Sequence, residues 1–148
     1  MRKSRVLEGP IVRNRKQQKA YNRYRGPLTN CQFCDLDREV NHVIAERNLF
    51  WIISNLFPYH VWDGAKTGDH LLVIPKRHVD SVAHFNDNEK MEYMEILGEY
   101  EQAGYSSYAR APQNGHKSVV HQHTHLLEVG ESINSQLYLR KPFINIAR

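Results

Sequence analysis

Three histidines alternate with single residues between His121 and His125. Alternate side chains of a β-strand point to the same face of a sheet, so the pattern predicts a strand, Ser118–Val129, that presents all three rings on one face. Successive imidazoles would then lie about 7 Å apart. Burying three titratable rings costs several kcal/mol unless each ring finds a partner, so the row indicates a functional site rather than ordinary core packing.

Two kinds of chemistry suit such a row of histidines. Neutral imidazole is the commonest metal ligand among side chains. A neutral imidazole, with an ordinary pKa of about 6.5, is also a nucleophile that attacks phosphorus and leaves again readily, while neighbouring rings donate protons and hydrogen bonds. The alternation by itself leaves both chemistries open.

The remaining hydrophobic pattern predicts an α+β fold, an antiparallel sheet with one main helix. Capping residues at 86–89 precede apolar residues at helical spacing, which predicts a helix that ends near Gly104. A loop is expected at Phe57–Asp69, and residues 130–148 have no pattern that places them. The other expected strands are rich in β-branched and aromatic residues or bounded by turns: Asn41–Glu46, Leu49–Asn55, His70–Pro75 and Ser106–Ala111.

The positive charge of the chain is concentrated in an N-terminal arm, residues 1–26. The arm has nine basic residues and one acidic residue, a net charge of +8, whereas residues 27–148 carry −4. Few apolar residues and two Gly-Pro pairs predict an arm that is flexible or lies along the surface of the domain. Its charge would favour binding to nucleic acid or a polyphosphate, with Tyr21 and Tyr24 available for stacking. The alternative is a solvated extension that aids solubility or dimer contacts.

Composition narrows the class of protein further. The 148 residues fit one domain, the mean hydropathy is −0.64, and no apolar run reaches the roughly 20 residues that a membrane-spanning helix needs. Two cysteines cannot form a disulfide framework, and the N-terminus has no secretory pattern. We therefore expect a cytoplasmic protein without membrane contact.

The segment His121–Leu127 resembles the signature of the histidine triad (HIT) nucleotide hydrolases and transferases, in which three histidines alternate with apolar residues. The resemblance extends over about residues 31–129. Gln122 and Thr124 depart from it, because the family has apolar residues there; both are expected to face away from the nucleotide. The matching features are the Cys31-Gln-Phe-Cys34 start, a strand that ends in Asn55, the stretch His70–His78 and Ser118, three residues before the triad.

The resemblance implies a five-stranded antiparallel sheet, a homodimer and a nucleotide, expected to be a purine nucleotide, with its α-phosphate at the triad. It implies that His123 is the nucleophile, that His125 donates to a phosphate or leaving-group oxygen and that His70 supports the triad. Ser118 would bond the bridging atom, and Asn55 would bind the ribose hydroxyls.

The cysteine pair is half of a zinc site in a reducing compartment. In family members with this pair, two histidines complete the site, and the resemblance assigns them to His78 and His121. Zinc would then be structural, and the chemistry itself would need no metal. Two idle thiols are the alternative.

The predicted function is a hydrolase that cleaves at the α-phosphate of dinucleoside polyphosphates or nucleoside phosphoramidates through a nucleotidyl-phosphohistidine on His123. A nucleotidyltransferase or phosphorylase would use the same intermediate. A non-catalytic zinc and nucleotide-binding module is the alternative from another class.

Overall fold

The computed structural model describes residues 12–13, 15–24, 30–37, 42–132, 136–140 and 143–147. A short 3₁₀ turn, Val82–His84, precedes the longer of the two α-helices found in these residues. The elements are, in chain order, α1 (Arg15–Tyr24), β1 (Val43–Glu46), β2 (Phe50–Ser54), β3 (Val61–Trp62), β4 (Ala65–Pro75), α2 (Asp87–Gln102), β5 (Tyr105–Ala109), β6 (Thr124–Ser132), β7 (Gln136–Arg140) and β8 (Phe143–Ala147).

Six of these strands form one antiparallel sheet in the order β1-β2-β4-β6-β5, with the short β3 paired to β4. At its centre β4 pairs with β6, and the register sets His70 opposite Leu127 and Leu72 opposite His125. Since side chains alternate along a strand, His70 and His125 lie on one face of the sheet. The α+β prediction is confirmed; the sheet has six strands where five were expected.

The opposite face of the sheet holds the main hydrophobic core. Leu71, Val73 and Leu126 pack there with Ile96 of α2. Helix α2 begins as predicted: the Asn86 side chain accepts from the N–H of Glu89, and the Glu89 carboxylate accepts from the N–H of Asn86. This reciprocal capping box satisfies two amides that the helix itself leaves unpaired.

Two strands begin five or more residues away from where they were predicted to begin. The loop expected at Phe57–Asp69 contains β3 and the first five residues of β4, whose pairing with β6 is interrupted by irregularities near Thr67. Lys66, Gly68 and Asp69 are poor strand formers, so the β-propensity of this stretch does not predict a strand. Pairing with β3 and β6 makes it one. Strand β6 begins at Thr124 rather than Ser118, which places His121 and His123 in the segment before the strand.

The two ends of the chain also contain regular structure. The basic arm, for which no helix was predicted, contains α1. The last part of the chain, left unplaced from the sequence, contains an antiparallel pair, β7 and β8. Within the described residues, no helix combines the length and the apolar character needed to cross a membrane.

Candidate active site and metal centre

The three alternating histidines lie at the junction between an irregular segment and strand β6. All three are buried: the exposed fraction is 0% for His121, 7% for His123 and 4% for His125. The ring centroids of His123 and His125 are 5.2 Å apart. The expected spacing of about 7 Å was therefore wrong for this pair, because the backbone is not yet a paired strand at His123.

A chain of hydrogen bonds determines the tautomers of His70 and His125. The backbone N–H of Tyr59 donates to His70 Nδ1 at 2.9 Å, so the proton of neutral His70 lies on Nε2. That Nε2–H donates to His125 Nδ1, also at 2.9 Å. His125 consequently has its proton on Nε2, on the side of the ring away from His70.

His123 has the opposite arrangement of its two nitrogens. Its Nδ1–H donates to the carbonyl oxygen of His121 at 2.8 Å, which leaves the lone pair on Nε2. Burial is the main cause that lowers the pKa of His123 to about 4. The ring is therefore neutral near pH 7, the form that a nucleophilic imidazole requires.

Burial and positive charge keep the other two rings neutral as well. The pKa of His70 is lowered to about 3, chiefly by burial, then by the charges of Arg13 and Arg110, and least by His123, which is charged only once it is protonated. Burial also holds the pKa of His125 well below its ordinary value, helped by His123 and by the same charges. The site therefore combines neutral imidazoles with fixed positive charge.

Arg110, which follows β5, is a site residue that sequence reasoning missed. Its side chain is buried, with 8% exposed; its Nη1 donates to the Tyr59 hydroxyl at 2.6 Å and lies 3.3 Å from His125 Nε2. Arg110 belongs to no motif of the sequence. The one feature of the sequence that could have indicated its role is its position near the end of the predicted strand Ser106–Ala111, which precedes the predicted histidine strand. Tyr59, in the aromatic loop between β2 and β3, stacks on His125 with ring centroids 5.1 Å apart.

Asn55 lies beside His70 of the histidine cluster, and Ser118 contacts the N-terminal arm. Ser118 Oγ accepts a hydrogen bond from the hydroxyl of Tyr21 in the arm. Asn55 Oδ1 accepts from the N–H of Phe57 at 3.0 Å, and its Nδ2 is 3.2 Å from His70 Nε2. The backbone N–H of Phe57 thus holds Asn55 next to His70, while the proposed contact of Asn55 with ribose stays a prediction.

The polar residues between the histidines find partners outside the cluster. Thr124 Oγ1 bonds the hydroxyl of Tyr93 on α2 at 2.8 Å, and Gln122 Oε1 accepts from Lys117 Nζ at 3.1 Å. Thr124 therefore contacts the face of the sheet that α2 covers, as expected from the alternation. Lys117 also donates to the carbonyl of Asp80, at 2.6 Å.

A second cluster brings together the four residues that the family resemblance assigns to zinc: Cys31, Cys34, His78 and His121. One ligand atom from each lies within 4.8 Å of the others. His121 Nδ1 is 3.4 Å from Cys31 Sγ and 3.6 Å from Cys34 Sγ, and His78 Nδ1 is 3.1 Å from Cys34 Sγ.

These positions fit a tetrahedral zinc ion. Zn–S bonds of about 2.3 Å and Zn–N bonds of about 2.0 Å place neighbouring ligand atoms roughly 3.5 Å apart. The Nε2–H of His121 donates to the carbonyl of Pro75 at 2.8 Å, which leaves Nδ1 free to bind a metal. The cluster therefore could hold a metal ion, compatible with zinc.

Several solved structures with this fold carry names from one family. One is a HIT family hydrolase from Legionella pneumophila Philadelphia 1, with 25% identity and a TM-score of 0.51; 66% of this chain and 91% of that one are covered. Another is a HIT family hydrolase from Clostridium thermocellum, with 24% identity and a TM-score of 0.53, over 70% and 94% of the two chains.

A third is a histidine triad nucleotide-binding protein from Candida albicans, with 18% identity, a TM-score of 0.50 and coverage of 70% and 82%. No protein-family model matches the sequence. No curated protein matches it either. At these identities the likeness is one of fold, and it confirms the resemblance that the motifs predicted.

Proposed function

We propose that this protein, which has the fold of the histidine triad (HIT) proteins, is a nucleotide hydrolase that acts at an α-phosphate through His123. The tautomer of His123 carries the proposal: its Nδ1–H is held by the His121 carbonyl, and its Nε2 bears the lone pair. A histidine that served packing alone would gain nothing from a free, unprotonated nitrogen beside two further histidines and a buried arginine.

The first half of the reaction transfers the nucleotide to the protein. His123 Nε2 attacks the α-phosphorus; an N–P bond forms, and the bond between phosphorus and the leaving group breaks. The leaving atom needs a proton or a hydrogen bond, and Ser118 is suited to supply one. Since Tyr21 donates to Ser118 Oγ, the hydroxyl proton of Ser118 stays available for the leaving group.

Positive charge and N–H donors stabilise the transition state. The Nε2–H of His125 and Nη1 of Arg110 lie 3.3 Å apart, and a non-bridging oxygen that accepts from both would have its developing negative charge stabilised. In the second half of the reaction, water attacks the phosphorus of the nucleotidyl-phosphohistidine. The N–P bond breaks and its electron pair returns to His123 Nε2, a P–O bond forms, and the proton that water loses goes to solvent, so His123 is neutral again for the next cycle.

Cys31, Cys34, His78 and His121 would hold a structural zinc ion in this function. Bound there, zinc would supply no catalysis but would tie the Cys31–Cys34 segment to the residues before β6. The carbonyl of His121 accepts from His123 Nδ1–H, so the same residue that binds the metal also orients the nucleophile. Rigid placement of that carbonyl maintains the reactive tautomer.

A substrate screen with and without inorganic phosphate tests the proposal. We expect turnover of diadenosine polyphosphates or adenosine phosphoramidate to AMP by the wild type, and its loss in His123→Ala with AMP binding retained. His84→Ala, at an exposed histidine bonded to Asp80, is the matched control and should keep full activity.

Three outcomes would contradict the proposal in different ways. Undiminished turnover in His123→Ala excludes the phosphohistidine. Nucleoside diphosphate formed only with added phosphate indicates a phosphorylase with the same intermediate. Binding of AMP without turnover of either substrate class indicates a non-catalytic module.

A further inference from the structure

The N-terminal arm places a second arginine, Arg13, next to the histidine cluster. We propose that Arg13, with Arg110, forms a subsite for the phosphate group adjacent to the attacked one, so that the protein selects substrates whose leaving group begins with a phosphate. This inference rests on the proposed function and narrows its substrate class to nucleoside polyphosphates and dinucleoside polyphosphates.

Contacts on both sides of Arg13 hold this part of the arm against the domain. The carbonyl of Val12 accepts from the N–H of Val61 at 3.1 Å, and the Val12 side chain, 7% exposed, packs with Tyr59 and Leu127. On the other side, Tyr21 of α1 packs on Phe57, with ring centroids 5.4 Å apart. Arg13 therefore has a defined position instead of belonging to a solvated tail.

The guanidinium of Arg13 lies between aromatic rings, with no carboxylate paired to it among the described residues. Its Nε donates to the carbonyl of Phe57 at 2.9 Å, and its central carbon is 4.3 Å from the Tyr21 ring centroid and 4.9 Å from that of Tyr59. The guanidinium of Arg110 is 5.7 Å from the same Tyr59 ring. The ion pairs found among the described residues include neither Arg13 nor Arg110.

Arg13 is half-buried, Arg110 is buried, and both contact Tyr59. In the part of the chain that the structure describes, no carboxylate pairs with either, and placing two such cations together costs free energy unless an anion joins them. Burial lowers the pKa of Arg13, and the charge of Arg110 lowers it further, so the two cations lie within each other's field. Arg110 would also contact the attacked phosphate, since its Nη1 and His125 Nε2–H are both donors and face one another at 3.3 Å. An anionic oxygen that accepts from both would relieve this contact.

Tyr21 places Arg13 on the side of the leaving group. Its ring lies against the Arg13 guanidinium, and its hydroxyl bonds Ser118, the residue proposed to assist the leaving atom. The group that departs past Ser118 therefore meets Arg13 next. Guanidinium groups bind phosphate oxygens through paired N–H donors, and an amine or an uncharged alcohol offers no such acceptor.

The test compares the binding of ADP and AMP, which differ by the adjacent phosphate, measured by calorimetry on the full chain. We expect the wild type to bind ADP more tightly than AMP, and Arg13→Gln to weaken ADP binding about tenfold or more while AMP binding changes little. Lys19→Gln removes the same charge from an exposed position of the same arm and should leave both affinities unchanged. Arg13→Lys, which keeps the charge, should recover part of the preference for ADP.

The outcomes separate this inference from the proposed function. A wild type that binds neither nucleotide overturns the proposed function itself. If both nucleotides bind, the inference is overturned by an unchanged ADP-to-AMP ratio in Arg13→Gln, by an equal loss for the two nucleotides, or by an equal effect of Lys19→Gln. An Arg13→Lys variant that binds ADP no more tightly than Arg13→Gln would also overturn it, because a positive charge at this position would then not contribute to ADP binding.

Discussion

His70 Nε2 donates to His125 Nδ1 at 2.9 Å, and this bond links side chains of the paired strands β4 and β6 on the face of the sheet that carries the site. The bond requires an unprotonated Nδ1 on His125, and the bond from the Tyr59 N–H requires an unprotonated Nδ1 on His70. The backbone N–H of Tyr59 imposes the tautomer of His70, so the aromatic loop between β2 and β3 determines which nitrogen of His125 carries its proton. Protonation of His70 would break this chain at its first acceptor.

Acid should destabilise the protein through His70. Its pKa is about 3 in the folded state and about 6.5 in the unfolded chain, so between these values the unfolded state binds a proton that the folded state does not. The free energy of unfolding should therefore fall as the pH falls below about 6.5, by about 1.4 kcal/mol per pH unit for this group.

Urea unfolding at pH 7.5 and pH 5.0 on wild type and His70→Gln measures this contribution, since glutamine keeps a donor and an acceptor but does not titrate there. The groups that face His70 are His125 from β6, His123, and the cations Arg13 and Arg110. We expect a smaller loss on acidification in His70→Gln than in wild type, and no such difference in His84→Gln. Identical pH dependence in wild type and His70→Gln would rule this role out.

Loss of one cysteine or histidine of the metal cluster should remove zinc and loosen the fold. Purified wild type is expected to contain about one zinc per chain. Cys34→Ser and His78→Ala should lower both the zinc content and the melting temperature, because the cluster ties the segment at Cys31–Cys34 to the residues after β4 and before β6. Plasma mass spectrometry and calorimetry measure the two quantities.

His84→Ala serves again as the control for the metal cluster, since His84 is exposed and bonded to Asp80. It should retain full zinc and an unchanged melting temperature. A wild type that is folded yet contains no metal after expression with zinc would refute the assignment.

Tyr21→Phe should slow turnover without displacing the arm. The variant keeps the ring that packs on Phe57 and lies under Arg13 but removes the hydroxyl that donates to Ser118. Losing one such hydrogen bond costs about 0.5–1.5 kcal/mol, so we expect kcat to fall roughly twofold to tenfold with KM little changed. Steady-state kinetics on a diadenosine polyphosphate measure both constants.

Tyr24→Phe is the matched control for Tyr21→Phe, because Tyr24 also packs on Phe57 but is 50% exposed. It should leave kcat unchanged. An equal effect of the two variants would show that the arm as a whole, and not the bond to Ser118, affects turnover.

Several expectations stay predictions. They are the division of the chain into an arm that ends at residue 26 and a domain that follows it, the roles of the individual site residues, the homodimer, the preference for purine nucleotides, the contact with nucleic acid and the cytoplasmic location.

The main elements of the fold could be predicted because their signals are local. The cap at Asn86 and the apolar pattern after it lie within a few residues of the helix they define, and β2 is rich in aromatic and β-branched residues. The start of β4 could not be predicted, since Lys66, Gly68 and Asp69 disfavour strands and pairing with β3 and β6 decides their conformation. Strand β6 begins late because the Gln122 N–H donates to the carbonyl of Val79 instead of to a neighbouring strand.

The amino-acid sequence alone determined which side chains are present for chemistry: the alternating histidines, the cysteine pair, Ser118 and Asn55. The tertiary structure decided how those side chains are used. A hydrogen bond from His70 selects the tautomer of His125, and a hydrogen bond from the backbone of Tyr59 selects that of His70. Arg13 and Arg110, which are far apart in the sequence, both contact the ring of Tyr59. Hydrogen bonds and charge act over a few ångströms in space, and the chain brings these atoms together only when it folds.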